Sequence, residues 1–241
     1  MYYFQNFPIT PYYFGKELRP TAFQNLNAYV DIVDQIKDNL DFYVYTYIQD
    51  ERPDQLSHIL YGDHTHYWTF WLMNDHIRRS GWPLSDSELK ARLLKHNNSY
   101  TILRITADMS DKFLVGHTVT GLTSAETGTI VKRNPDLGQI FIDGNKTFIN
   151  DELIVDDNSN STTVIASYEE YNAPIHYLDT SNNNEITDIN PFSAIIAAEL
   201  VPYTLTDFFT DKNEELKEIR VIKPNVINGV VGQIKKAFLN S

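Results

Sequence analysis

His58, Asp63, His64, His66 and His76 crowd into one stretch of the chain, and imidazole with carboxylate is a standard ligand set for zinc and similar ions. Their spacing argues against a site. Ligands on a helix share a face at separations of three or four, whereas His64 and His66 lie two apart and point in different directions. HExxH does not occur, so the cluster reads as polar residues at helix starts and rims, and no metal is expected. The pairs Asp50/Glu51, Asp86/Glu88, Asp156/Asp157 and Glu169/Glu170 could supply the two carboxylates of a glycosidase. In a chain with 32 acidic against 20 basic residues such neighbours arise by chance, and they read as solvated faces. The sequence has no Gly-x-Ser-x-Gly elbow, P-loop or Gly-rich dinucleotide turn. It has no cysteine either, which removes thiol nucleophiles, thiolate metal sites and disulfides. The expectation is a protein without catalytic residues or cofactor.

The 241 residues can bury one large core or two small ones. A net charge of −12 repels phosphate backbones, and no Lys/Arg stripe offsets it, so nucleic acid is not expected as a partner. No run approaches the roughly twenty apolar residues that span a bilayer, and no basic leader precedes an apolar core. The expectation is a soluble protein made in a cytoplasm, with no membrane partner. Tyr and Phe are abundant, at 15 and 13.

The elements that would position any site follow from periodicity. Residues 1–20, with Tyr2, Tyr3 and Phe4 at the head, are rich in aromatics and proline and read as an extended arm that must lie against its own domain or a neighbour. Phe23, Leu26, Val30, Val33, Ile36 and Leu40 recur at helical spacing over 21–40, and DFYVYTYI at 41–48 alternates as a strand. Pro53 suits the first turn of a helix with Leu56, Ile59 and Leu60 on one face. Gly62 is a left-handed cap and Asp63 an N-cap. Tyr67, Trp68, Phe70, Trp71 and Leu72 then put more aromatic bulk into one turn than one face needs, before an Asn74-Asp75 stop. Ser85 and Glu88 form a capping-box pair for a helix to about His96, and Tyr100–Thr106 is a short strand.

From 108 to 168 short β-branched runs alternate with Gly, Asn and Asp, as in a small antiparallel barrel or sandwich. Asn134-Pro135-Asp136-Leu137-Gly138 and Asp143-Gly144-Asn145 read as hairpin turns. The stretches Phe113–Val119 and Phe148–Ile154 echo one another as two related arches. Further on, the pattern predicts a loop at 181–184, a short helix from Asn190-Pro191 through 198, a strand over Leu216–Ile222, and a helix after Pro224. That last helix carries Ile227, Val230, Val231, Ile234 and Phe238 on one face.

The segment RPDQLSHILYGDHTHYWTFWLMND at 52–75 resembles a LysM module, two short helices on a small sheet. With the aromatic arm, the Tyr-rich strand, the Gly81-Trp82 step and EELKEIRVIKP at 214–224, the chain is similar to the LysM-containing baseplate wedge proteins of contractile-tailed, T-even-type phages, the gene product fifty-three family. The resemblance covers roughly 20–100 and 205–241. It rests most on Arg52-Pro53, Tyr61-Gly62, Tyr67-Trp68, Leu72 and Asn74-Asp75. What it implies is an α+β fold with a LysM-like βααβ core and flanking helices, in four parts. These are an extended N-terminal arm (1–20), a helix with the LysM-like domain (21–107), an inserted small antiparallel β-barrel (108–168) and a C-terminal α/β segment (169–241). Tyr100–Thr106 would serve as the second LysM strand, since none directly follows Trp82. The implied role is structural, in the virion tail baseplate, with other wedge proteins as partners. LysM modules bind N-acetylglucosamine polymers through loops that correspond here to Gln49, Asp50, Glu51 and Arg52, and to Asn74, Asp75 and onward to Trp82. In the wedge family these become candidate protein contacts, together with Tyr2, Tyr3, Phe4 and the C-terminal helix. The alternative is a tail protein that binds peptidoglycan in the ordinary LysM manner.

Overall fold

In the computed structural model, which describes residues 9–13, 21–24, 39, 41–181, 184–188 and 200–240, the chain forms two compact units. One comprises residues 1–85 with 213–241, the other residues 86–212. The reciprocal bonds Leu84 N–H to Asn213 Oδ1 and Asn213 Nδ2–H to Leu84 C=O, both 2.8 Å, close the stem from which the second unit is inserted.

In the first unit, β1 (Ile9–Tyr12) pairs antiparallel with β2 (Thr21–Gln24). Over Ile9–Tyr12 the arm is extended and paired, and one expectation is corrected: Thr21–Gln24 is strand where a helix was expected. The rest of the 21–40 helix, apart from Asn39, lies outside the described residues, as do Tyr2, Tyr3, Phe4 and the helix expected at 190–198. The main sheet is β3 (Tyr43–Tyr47) against β13 (Glu218–Ile222), antiparallel, with Tyr45 opposite Arg220. Between them in sequence come α1 (Pro53–Tyr61), a 3-10 turn (His64–His66), α2 (Thr69–Met73) and α3 (Asp75–Ser80). Pro53 opens α1, and Gly62 closes it at φ 70.

Two small cores flank this sheet. Ile48, Leu56, Phe70, Ile77, Ile219 and Val221 form one. Tyr43, Trp68, Leu72, Met73 and Ile222 form the other, with Ile227, Val230, Val231 and Ile234 of α6 (Ile227–Asn240). The aromatic excess around Trp68 is thereby explained, since Phe70 serves one core while Trp68 and Leu72 serve the other. Ile227, Val230, Val231 and Ile234 of the α6 stripe are thus buried within this unit, as the stripe requires, while the side chain of Phe238 lies outside the described ones. Ile59 departs from expectation. It is 65% exposed, while Leu56 is buried and Leu60 packs partly buried against the same core.

The second unit begins with α4 (Asp86–His96). A closed six-stranded antiparallel barrel follows, from β4 (Tyr100–Ile105), β5 (Thr118–Gly121), β6 (Thr127–Asn134), β7 (Gln139–Asp143), β8 (Leu153–Asp156) and β9 (Ser161–Glu169). Its order is β4-β7-β6-β5-β8-β9. Tyr100–Ile105 pairs with β7 and β9, so it is a barrel strand and not the closing strand of the sheet around β3, whose partner is β13. Nor is Asp143-Gly144-Asn145 a hairpin, because β8, the next strand, pairs with β5 and β9.

The echo between 113–119 and 148–154 is a pseudo-two-fold axis through the barrel. Gly116 N–H donates to Ile130 C=O as Asp151 N–H does to Val164 C=O, both 2.8 Å, and Leu122 N–H to Leu153 C=O mirrors Asp157 N–H to Thr118 C=O. Irregular register follows Ile130 in one half and Val164 in the other. The core repeats accordingly, with Phe113 and Phe148, Val119 and Ile154, Ile130 and Val164 buried together.

A further sheet, β11 (Glu185–Ile186), β10 (Pro174–Asp179) and β12 (Leu200–Thr204), and a helix α5 (Leu205–Lys217) complete the chain. Leu216 and Lys217 belong to this helix, so the strand expected at 216–222 begins two residues later. A Cβ on Gly128 would lie 2.2 Å from Ile142 Cγ2 in the barrel wall. Gly128→Ala is therefore expected to destabilise the barrel by about 1–3 kcal/mol through overpacking, read as a lowered urea midpoint.

Candidate interaction surface

The turn after β3 and the start of α1 are built by their own side chains. Gln49 N–H donates to Glu51 Oε2 at 2.9 Å and Arg52 N–H to Gln55 Oε1 at 3.1 Å, while the Arg52 guanidinium meets Asp54 at 3.2 Å. Gly81, at φ 96, ends α3 and turns the chain so that Trp82 reaches this loop. Its Nε1–H donates to Glu51 C=O at 2.9 Å. The Trp82 ring lies 5.7 Å from Phe70 and 5.4 Å from Trp71, and Trp71 meets Tyr67 edge to face at 6.0 Å. Gln49, Asp50, Glu51 and Arg52 thus share one surface with Trp82, a polar loop beside an aromatic ridge. Rigid amphipathic rings of this kind favour protein interfaces.

Asn74 and Asp75 do not join that surface. Asn74 is buried, and its amide lies along the outer edge of β13. Nδ2–H donates to Phe70 C=O and Arg220 C=O, both at 2.8 Å, and Oδ1 accepts from Arg220 N–H at 2.7 Å. It is a structural pin rather than a contact residue, which corrects its place among the candidates. The stretch after it is helix α3, not a loop. Asp75 is exposed, pairs with Arg78 at 2.8 Å, and lines a cleft of about 310 Å³ with Tyr45, Met73, His76, Glu218 and Arg220. The Arg220 guanidinium covers the Tyr43 and Tyr45 rings at 5.2 and 5.7 Å.

The histidine cluster does not assemble. Asp63 caps Thr65, accepting from its N–H and hydroxyl at 2.8 Å each, and these bonds hold the Asp63 carboxyl below its ordinary pKa. His64 and His66 approach Asp63 only to 3.9 and 3.8 Å. Among the described residues, the one group with three close ligand atoms is His117, Asp156 and Asp157. Sequence reasoning missed the His117 partnership because it spans two strands. Asp156 builds the β8–β9 turn, accepting from Asn158 N–H and Asn160 N–H at Oδ1 and from Asn160 Nδ2–H at Oδ2. Glu152 plays the related part for the β5–β6 turn, accepting from Thr123 N–H, Ser124 N–H, the Ser124 hydroxyl and Ile149 N–H. Burial pushes the Glu152 carboxyl up, but the Ser124 and Ile149 donors outweigh it and the pKa sits below the ordinary 4.5.

Two outcomes follow. Asn74→Ala strands the outward N–H and C=O of Arg220 in a buried setting and should cost about 2–4 kcal/mol by urea unfolding. A depressed carboxylate stabilises above its unfolded pKa and loses that contribution as pH falls through the folded value. Glu152→Gln should therefore weaken the barrel by about 1–2 kcal/mol at neutral pH, with the gap to wild type closing below pH 4.5 in pH-resolved thermal melts.

Among the described residues no helix is long and apolar enough to cross a membrane. No curated protein matches the chain. Residues 18–114, which contain β2, β3, α1 to α4 and the Gln49–Arg52/Trp82 surface, match the family model described as base plate wedge protein 53.

Proposed function

We propose that this chain is a structural, non-enzymatic component of a phage tail baseplate wedge that joins neighbouring wedge subunits during assembly and resides in the virion. The observation that carries the reading is the match of residues 18–114 to base plate wedge protein 53. Physical support comes from the Gln49–Arg52 loop held against Trp82, inside the matched stretch. In this reading β3, α1, α2 and β13 are a LysM-like strand-helix-helix-strand unit whose second strand arrives after the inserted barrel. The loop surface, and Tyr2, Tyr3 and Phe4 of the arm, meet other wedge proteins of the same phage.

Light scattering on a sizing column, with the chain mixed into a reconstituted wedge complex, tests this. Co-elution is expected. Trp82→Ala combined with Arg52→Glu should weaken it by about tenfold or more, as loss of an aromatic anchor does. A chain that ignores the wedge yet sediments with purified peptidoglycan, and is released by Trp82→Ala, would instead be a glycan-binding tail protein.

A further inference from the structure

The two outer edges of the β3–β13 sheet are finished differently. Lys223 N–H donates to Phe42 C=O and Ile48 N–H to Lys217 C=O, both at 2.8 Å. With the register between them, these end pairs aim the N–H and C=O of Val44 and Thr46 at β13 and turn those of Tyr43, Tyr45 and Tyr47 away from it. The same parity sends Glu218, Arg220 and Ile222 outward on the β13 side, where both backbone groups of Arg220 and the C=O of Ile222 are met. The Asn74 amide takes the N–H and C=O of Arg220, and the Tyr61 hydroxyl donates to Ile222 C=O at 3.0 Å. On the β3 side, among the described residues, no strand follows. Tyr-Val-Tyr-Thr-Tyr contains no Pro, Lys or bulge to blunt the edge, and Val44, Tyr45 and Tyr47 are 40, 56 and 54% exposed. A regular apolar edge of this kind is a template for another strand.

We propose that the outer edge of β3 receives an extended segment of a partner protein as a third strand, with Thr or apolar residues in alternation and Lys or Arg at the end that lies beside Tyr47. Charge selects that end. Asp50 and Glu51 follow β3 in the turn, and Glu214 accepts from the Tyr47 hydroxyl while Glu218 lies opposite Tyr47. The nearby cations are already engaged, Lys217 with Glu214 at 2.5 Å, Arg52 with Asp54 at 3.2 Å, and Arg220 over the Tyr43 and Tyr45 rings. Main-chain bonds to Tyr45 and Tyr47 would supply affinity, and the alternating side chains specificity. The inference concerns how a partner binds and holds whether or not that partner belongs to a phage tail.

The test is amide hydrogen exchange by NMR on the full chain, alone and with about 1 mM of the capped peptide Lys-Thr-Val-Thr-Val-Thr-Lys. In the chain alone, the Val44 and Thr46 amides should exchange slowly and those of Tyr45 and Tyr47 fast. The peptide should slow Tyr45 and Tyr47 by about tenfold, and a version with Glu in place of Lys should bind at least about fivefold more weakly. Tyr45→Pro removes the edge-facing N–H, a change edge strands tolerate, together with the ring that Arg220 covers, so it is read against Tyr45→Ala: the Pro variant should abolish peptide binding that the Ala variant keeps, while the urea midpoints of the two stay close. The proposal is overturned if Tyr45 and Tyr47 are as protected as Val44 in the monomeric chain, which would mean the edge is filled from within. Protection that rises with protein concentration overturns it in favour of a second copy, and a peptide that leaves both amides unchanged overturns it outright.

Discussion

A two-stranded ribbon is marginal in water unless something covers it, and here its strands are separated in sequence by an entire inserted unit. What makes it viable is the Asn74 side chain lying along β13 as a one-residue substitute for a third strand. A buried amide is costly unless its donors and acceptor are matched, and all of Asn74's are matched to backbone groups of Phe70 and Arg220. That match fixes the end of α2 against the strand, which in turn places Phe70 and Trp68 into cores on opposite faces of the sheet. The position of Trp82 beside the Gln49–Arg52 loop descends from the same constraint, because α3 starts from Asn74 as its cap.

Much of this was legible in local patterns. Pro53, Gly62 and Asp63 mark the ends they were expected to mark, since caps and left-handed turns are decided within a few residues. The barrel's strand runs and even its internal symmetry showed through, because burying one face of each strand leaves a period of two. What escaped was everything decided by long-range pairing. Tyr100–Ile105 reads identically whether it closes one sheet or another, and only partners at 139–143 and 161–169 assign it to the barrel. Asn74 looked like a polar stop exposed in a loop, because the acceptor and donor that bury it lie at Arg220. The helix at 205–217 was missed because its apolar positions are few and half-buried, leaving a weak periodic signal.

The acidic character of the chain likewise divides by depth. Asp156 read in the sequence as part of a solvated acidic pair and Glu152 drew no reading as an acid, yet each organises a turn from below by accepting backbone N–H groups. A carboxylate with several such donors is held both ionised and rigid, which suits it to holding a barrel rim and leaves it little capacity to move protons.

The stem at Leu84 and Asn213 has a consequence for how the chain matures on the ribosome. Every strand pairing of the barrel lies within residues 86–212, so that unit can close as soon as it emerges. β3 is made first but has to wait for residues 218–222, well over a hundred positions later, before its ladder can form. During that interval a five-residue tyrosine-rich strand has neither edge satisfied by its native partner. The order of synthesis therefore makes the outermost part of the chain in sequence the last to be consolidated, and the inserted barrel the first.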